Sequence, residues 1–276
     1  MADNRHSGSP SLGLFPLFPY SSCANDTIDG CALPKKSRAT AFANDSLQAS
    51  PGYFSLTLQT GVKAEMTTAE HTSLFQFSFP SGGSPTIILD LTDLSDSRQD
   101  NASISVDAGS GRMTGGARFN PSFGQGTYVA YFCADFQGSM KDNGIFVNSR
   151  ASPDVKDLKI SRGINGYPLP GGGFVRFTDS SPVLARVGLS LISSEQACQL
   201  AEREIPDFDF QTTRNTALSI WRQKMSPITV STAGVNTSTL TNFYSGIYRT
   251  MINPQNYTGV NPNASAGEIY FDSYYW

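Results

Sequence analysis

The stretch that decides the fold is 53–59, YFSLTLQ, in which Phe54, Leu56 and Leu58 alternate with polar residues. Successive side chains of a β-strand point to opposite faces, so this alternation predicts a strand with one buried face. A continuous apolar strand, buried on both faces, is predicted at 86–91. Other strand patterns occupy 62–66, 75–79, 103–107, 112–119, 127–136, 173–178 and 185–192. About ten strands without intervening helices predict an antiparallel β-sandwich.

The hydrophobic period changes at Ser193. Ser193 to Gln196 reads as a capping box, and the following patterns predict short helices, with a brief strand at 228–231. The last helix pattern is carried by Leu240, Phe243, Tyr244, Ile247 and Met251. We therefore divide the chain into an irregular segment at 1–50 that packs on the sandwich, a sandwich at 51–192 and a helical linker at 193–276. The aromatic run at 270–276 belongs inside a protein, so we expect a further domain after it.

Composition excludes several classes of function. The 276 residues have a net charge of −3 and only 16% charged residues, so a general nucleic-acid-binding role is not indicated. No apolar stretch is long enough to span a membrane. The opening residues carry no signal peptide, and we expect the natural N-terminus to lie further upstream.

Glycosylation and cysteine patterns favour the secretory pathway or the extracellular space. Cys23 and Cys31 are close enough to form a disulfide, whereas Cys133 and Cys198 are predicted to be buried free thiols. Six N-x-Ser/Thr sequons are candidate glycosylation sites, at Asn25, Asn44, Asn101, Asn236, Asn256 and Asn263.

Several segments together carry a resemblance to a known family. They lie at 9–18, 49–54, 61–67, 88–91, 186–190, 201–210, 243–254 and 270–273. In their colinear order they resemble the N-terminal part of glycoside hydrolase family 92, the calcium-dependent exo-acting α-mannosidases, and most closely its fungal members. The resemblance implies a galactose-mutarotase-like sandwich, a helical linker and a C-terminal (α/α)6 barrel that is missing here as the partner domain. It also implies inverting hydrolysis of mannosides or N-glycans.

The resemblance places the chemistry mostly outside this chain. The general acid, the general base and the calcium ligands are expected on the barrel, so we nominate no catalytic residue and no metal ligand here. The substrate-binding candidates are His6, Gly8, Asp272 and Ser273. We interpret His71 as structural.

Two further interpretations come from the residues themselves. The acidic group Asp90, Asp93, Asp96 and Asp100 lacks the ligand spacing of a calcium loop and is predicted to be a solvated loop. The alternative function is a carbohydrate-binding sandwich without catalysis, or a decayed fragment, that binds through the aromatic run and the glycine-rich loop 163–173. A secreted structural sandwich explains the sequons but not the closing motifs.

Overall fold

Two antiparallel β-sheets and four α-helices make up the chain in a computed structural model that describes residues 14–91, 99–119, 127–161 and 170–252. This confirms the predicted mainly-β class, with a sandwich followed by helices. The strands are β1 (Leu17–Tyr20), β2 (Gln48–Ser50), β3 (Tyr53–Thr57), β4 (Lys63–Thr68), β5 (Thr72–Ser78), β6 (Thr86–Asp90), β7 (Gln99–Val106), β8 (Met113–Phe119), β9 (Tyr128–Gln137), β10 (Met140–Val147), β11 (Arg150–Ser152), β12 (Asp157–Ile160), β13 (Gly171–Phe177) and β14 (Val183–Ser190). The helices are α1 (Lys35–Arg38), α2 (Ser194–Glu204), α3 (Phe210–Met225) and α4 (Thr237–Ile252).

The two sheets differ in size. One sheet has the order β1-β6-β13-β10-β11, and the other has the order β12-β7-β8-β9-β14-β5-β4-β3-β2. Both consist of antiparallel pairs, for example Phe174 opposite Ile88 and Val187 opposite Ala134. Alternate side chains of each sheet therefore face a common interior, while the others face outward.

The main core lies between the sheets. Its completely buried members include Phe77, Ile87, Phe119, Phe132 and Val175. Burial of side chains of this size contributes about 1.5–3 kcal/mol each, so this layer is the principal source of stability.

The outer face of the smaller sheet is covered by the N-terminal segment. Ile28, Leu33 and Ile88 pack there with Phe146 and Phe174 in a second cluster. This explains why β6 is apolar along its whole length: both of its faces are buried, as predicted.

The segment 1–50 is less irregular than predicted in its described part. Leu17–Tyr20 is extended, as expected for a proline-broken stretch, but it pairs with β6 as an edge strand, and Gln48–Ser50 pairs with β3. Pro19 fits because an edge strand has one side without a ladder partner. The segment therefore contributes an edge strand to each sheet.

The prediction that Asp90 belongs to a solvated loop is wrong. Asp90 is completely buried at the end of β6, and Arg38 Nη2 donates to its Oδ2 at 2.5 Å. Arg38 also donates to the Leu33 carbonyl at 2.6 Å. A buried carboxylate needs such a partner, because desolvation without compensation is costly. The acidic residues at 93 and 96, and the side chain of Asp100, lie outside the described residues.

Strands β10, β11 and β12 were missed by the sequence prediction. In β10 the alternation is interrupted by Asp142 and Asn143, and Gly144 lies where a Cβ would come within 2.2 Å of the Ser152 carbonyl oxygen. β11 and β12 have only three and four residues, too few for a periodic pattern. The expected strand at 228–231 is wrong, because these residues are neither helix nor strand. The glycine-rich stretch is a strand from Gly171 onward, and 162–169 lies outside the described residues.

Candidate functional site

The predicted substrate-binding residues cannot be located. His6, Gly8, Asp272 and Ser273 all lie outside the described residues, as do the aromatic run and the sequons at 256 and 263. The other four sequon asparagines are exposed, at Asn25, Asn44, Asn101 and Asn236. Their exposure is compatible with glycosylation, which stays a prediction.

Both pairs of cysteines form disulfides. Cys23 is joined to Cys31 within the N-terminal segment. Cys133, on β9, is joined to Cys198, on α2, so the prediction of free thiols for these two is wrong. Alternation places Cys133 on the outer face of β9, opposite the core residues Phe132 and Ala134, and α2 brings Cys198 over that face.

Helix α2 lies unusually close to the sheet. A Cβ on Gly188 of β14 would come within 2.2 Å of the Ala197 carbonyl oxygen, so only glycine fits there. The helix begins at the predicted N-cap, because the Ser193 side chain accepts a hydrogen bond from the Gln196 N–H at 3.1 Å. The second bond of the capping box is replaced, since the Ser193 N–H donates to Ser190 Oγ. The sequence therefore specifies both where α2 begins and where it packs on the sheet.

A network of charged side chains fixes the far end of α2. Arg186 donates from Nε and Nη2 to Asp135 Oδ2 at 3.1 and 2.6 Å, and from Nη1 to the Ile205 carbonyl at 2.6 Å. Arg112 donates to Asp135 Oδ1 at 2.5 Å and to Glu202 Oε1 at 2.6 Å. The hydrogen bond to Asp135 raises the pKa of Arg112. This network, the first junction, ties β9, β14 and the residue before β8 to the C-terminal end of α2.

A polar cleft of about 430 Å³ opens beside this network. Phe208 forms part of its wall, with a φ of 57° that is rare for an aromatic residue, and the Arg186 guanidinium lies 4.5 Å from its ring centroid. The cleft is lined by Asp107, Ser110, Arg112, Asp135, Phe136, Arg186 and Phe208.

The cleft is suited to holding the connector rather than to proton transfer. Both oxygens of Asp135 accept hydrogen bonds from arginine. Asp107 accepts from the N–H and Oγ of Ser110, which lowers its pKa. Inverting hydrolysis requires one carboxyl group that keeps its proton and another that faces a water. Among the described cleft residues, Asp135 is occupied by two arginines and Asp107 has a lowered pKa, so we assign neither as the proton donor.

A second junction joins the β4–β5 turn to the end of α2. Glu204 Oε2 accepts from the His71 N–H, and Glu204 Oε1 lies 2.8 Å from His71 Nδ1. The hydrogen bond to Glu204 raises the pKa of His71. Burial favours a raised pKa for Glu204, but hydrogen bonds from His71 outweigh it, so the pKa is lowered. Glu70 lies beside the pair, and one ligand atom from each of the three residues is within 4.8 Å of the others.

Helices α3 and α4 form an apolar groove of about 380 Å³. The rings of Trp221 and Tyr248 lie 4.6 Å apart between the helices. The residues that line the groove include Pro51, Leu218, Trp221, Met225, Ile228 and Tyr244. None of the described helices is long and apolar enough to cross a membrane.

Sequence reasoning missed the residues that meet at the two junctions. Arg112, Asp135 and Glu202 are far apart in the chain, as are His71 and Glu204. The available signal was a charged residue within an otherwise apolar strand. Asp135 and Arg186 both interrupt buried stretches in this way.

Comparison with known proteins assigns two successive parts of the chain. Residues 2–190 match the glycosyl hydrolase family 92 N-terminal domain, and residues 196–276 match the family 92 catalytic domain. A protein named "Uncharacterized secreted glycosidase" from Arthroderma benhamiae is 43% identical over 288 residues, which cover 100% of this chain. The chain spans 37% of that relative's length.

Solved structures agree on the fold. The family GH92 inverting mannosidase from Bacteroides thetaiotaomicron superposes with a TM-score of 0.73 at 20% identity, over 88% of this chain and 30% of that one. A family GH92 α-mannosidase from the same bacterium, in complex with mannoimidazole, superposes with a TM-score of 0.73 at 18% identity. This superposition covers 90% of this chain and 32% of that one. Since the N-terminal domain match alone covers more than half of the residues, this chain belongs to glycosyl hydrolase family 92.

Proposed function

We propose that this chain is the sandwich and the first helices of a mannosidase-type glycoside hydrolase that acts on mannosides or N-glycans. The observation that carries the proposal is the order of the two family matches, an N-terminal domain followed directly by the start of a catalytic domain. The name of the longer relative supports glycosidase chemistry, and the names of the superposed structures support mannosides.

The sandwich acts as a scaffold in this proposal. The two junctions at α2 set the position of α3, which begins the catalytic-domain polypeptide. The rest of the catalytic domain packs on the apolar groove between α3 and α4. That domain is then the partner of the sandwich. Exposed apolar side chains along these helices, such as Ile220 at 46% and Phe243 at 42%, support this role.

The proposed mechanism is inversion, with both proton-transferring carboxyl groups on the catalytic domain of the complete enzyme. Its stereochemistry is supported by the name of one superposed structure. His6, Gly8, Asp272 and Ser273 remain candidates for contact with the sugar. Secretion, supported by the relative's name and by the disulfides, would expose the chain to glycosylation at its sequons.

Calcium belongs to the proposal only for the complete enzyme. Calcium prefers six to eight oxygen ligands. Within the described ranges, the grouping of three or more metal-ligating side chains is Glu70, His71 and Glu204, which includes an imidazole nitrogen. This set does not fit a calcium site, so we derive no step of the reaction through calcium here.

The test compares this chain alone with a chimera. We expect the isolated chain to release no mannose from an α-1,2-linked mannobiose, with or without Ca²⁺. The chimera joins this chain to the remaining polypeptide of the Arthroderma benhamiae relative, and we expect it to release mannose. The intact relative is the positive control. Calcium-dependent release by the isolated chain would contradict the scaffold role.

The chimera has its own decisive outcome. If the intact relative cleaves the mannobiose and a folded chimera does not, this sandwich is not interchangeable with that of an active mannosidase. A titration of the isolated chain with mannose oligosaccharides separates the alternative function, since saturable binding without hydrolysis would favour a carbohydrate-binding sandwich.

A further inference from the structure

The second junction contains one more potential metal ligand than its His71–Glu204 ion pair requires. His71 and Glu204 account for the contact between the β4–β5 turn and α2, with side chains 20% and 10% exposed. Glu70 adds an exposed carboxylate to the same place, within 4.8 Å in ligand-atom distance. The imidazolium of His71 balances one carboxylate, and Glu70 adds a second negative charge that a bound divalent cation would balance.

A buried hydroxyl points into the same place. Thr72 is 1% exposed, and its Oγ1 has no hydrogen-bond partner among the described residues. It nevertheless lies near enough to the Glu204 carboxylate to contribute to the lowering of its pKa, after burial and the contacts from His71. The hydroxyl thus lies beside the Glu204 carboxylate without a close hydrogen bond, where it is available as a further oxygen donor to an ion bound there.

The three ligand atoms are close enough to meet around one small divalent ion. Two ligands of a tetrahedral Zn²⁺ are about 3.4 Å apart. His71 Nδ1 and Glu204 Oε1 lie 2.8 Å apart, so they must separate by roughly 0.6 Å to hold the ion. All three ligand atoms lie within 4.8 Å of one another, and Glu70 is exposed and free to adjust.

We propose that Glu70, His71 and Glu204 bind a divalent first-row transition ion, with the Thr72 hydroxyl as an additional oxygen donor. The mixed nitrogen and oxygen set favours Zn²⁺ or a similar ion over Ca²⁺ or Mg²⁺. The ion replaces the proton shared by His71 and Glu204, and its two positive charges balance the two carboxylates. Arg203, whose Nη2 lies 3.7 Å from Glu204 Oε1, is 70% exposed and can turn into solvent.

The ion would tie the β4–β5 turn of the sandwich to the last turn of α2. Cys198 already links an earlier turn of that helix to β9. The metal site is thus a second clamp on the helix that leads into α3. This role does not depend on glycosidase activity.

The experiment is a titration of the tag-free full chain with ZnCl₂, followed by isothermal calorimetry and by the thermal unfolding midpoint. We expect saturable binding at a single site and a rise in the midpoint, since an ion that binds the folded state stabilises it. Co²⁺ as a second probe should give visible absorption bands from a nitrogen and oxygen shell.

Glu70→Gln is the decisive variant, because Glu70 is exposed and its loss leaves the His71–Glu204 pair in place. We expect it to weaken Zn²⁺ binding at least tenfold. Glu195→Gln removes another exposed glutamate, at the start of α2, and should leave binding unchanged. His6→Ala removes the only other histidine of the chain and should also leave it unchanged.

Each outcome decides the proposal. Absence of saturable Zn²⁺ binding by the unaltered chain means that the junction is an ion pair only. Binding that survives Glu70→Gln at full strength, or that disappears in His6→Ala, places the ion elsewhere and overturns the assignment.

Discussion

Helices α2 and α4 both carry an apolar stripe, but among the described residues only the stripe of α2 is buried. In α2, Ala197, Leu200 and Ala201 are buried against the larger sheet. In α4, none of the side chains that the structure describes is buried, and Phe243 is 42% exposed. The difference teaches that amphipathicity specifies a surface to be covered, whereas close packing and covalent links specify which surface covers it.

The contacts of α2 explain why it is fixed. It has a disulfide to β9, a glycine beneath it in β14 and charged side chains at its C-terminal end. Each requires a particular residue on the sandwich. α4 contacts α3 through rings such as Trp221 and Tyr248, which tolerate adjustment. The chain thus passes from a rigidly anchored helix to helices whose main contacts we propose to lie on the catalytic domain.

The largest expected effect comes from removing the α2 disulfide. Cys133→Ala with Cys198→Ala opens a loop with a sequence separation of 65. The chain-entropy relation gives a loss of about 4 kcal/mol in the free energy of unfolding. The measurement is the denaturant midpoint from guanidinium unfolding, followed by circular dichroism.

The second disulfide is the matched control. Cys23 and Cys31 have a separation of only 8, so Cys23→Ala with Cys31→Ala should cost about 2.5 kcal/mol by the same relation. Equal losses for the two pairs would contradict the anchoring role of the long-range bond.

Breaking the buried arginine contact should have the next largest effect. Arg186→Met leaves Asp135 with one guanidinium partner and removes the bond to the Ile205 carbonyl, so we expect a loss of about 3 kcal/mol. The Arg186 side chain is 6% exposed, and that of Arg112 is 34% exposed. Arg112→Met should therefore cost about 1 kcal/mol. The same unfolding curves give both values, and a reversed order would show that the outer arginine carries the network.

The strands could be predicted where local alternation decides burial. Phe54, Phe77 and Phe132 all belong to period-two patterns, and all lie on strands. The start of α2 was also local, since Ser193 caps it as expected. β10 was missed because its polar residues at 142 and 143 face neighbouring chain segments, which no local pattern reveals.

The junctions could not be predicted, because they depend on where α2 lies. Cys133 and Cys198 looked like isolated thiols until the helix crossed β9. The sequence indicates a structural role for His71, but its partner Glu204 is 133 residues away. Asp90 looked solvated because polar residues follow it, and only the N-terminal segment brings Arg38 to it. Long-range pairing of single polar residues leaves no periodic signal.

The smallest expected effect is on α4. Phe243→Gln alters an apolar side chain that is 42% exposed, so we expect the free energy of unfolding of this chain to change by less than about 0.5 kcal/mol. Leu200→Ala on α2 is the matched control; it removes a side chain that is 6% exposed and should cost about 2–5 kcal/mol. The same substitution gives a sharper test in the chimera with the catalytic polypeptide. There Phe243→Gln should be clearly destabilising, because the catalytic polypeptide then covers the Phe243 side chain. An unchanged thermal midpoint in the chimera would mean that the face of α4 that carries Phe243 stays in solvent, and the proposed packing of this face on the catalytic domain would be wrong.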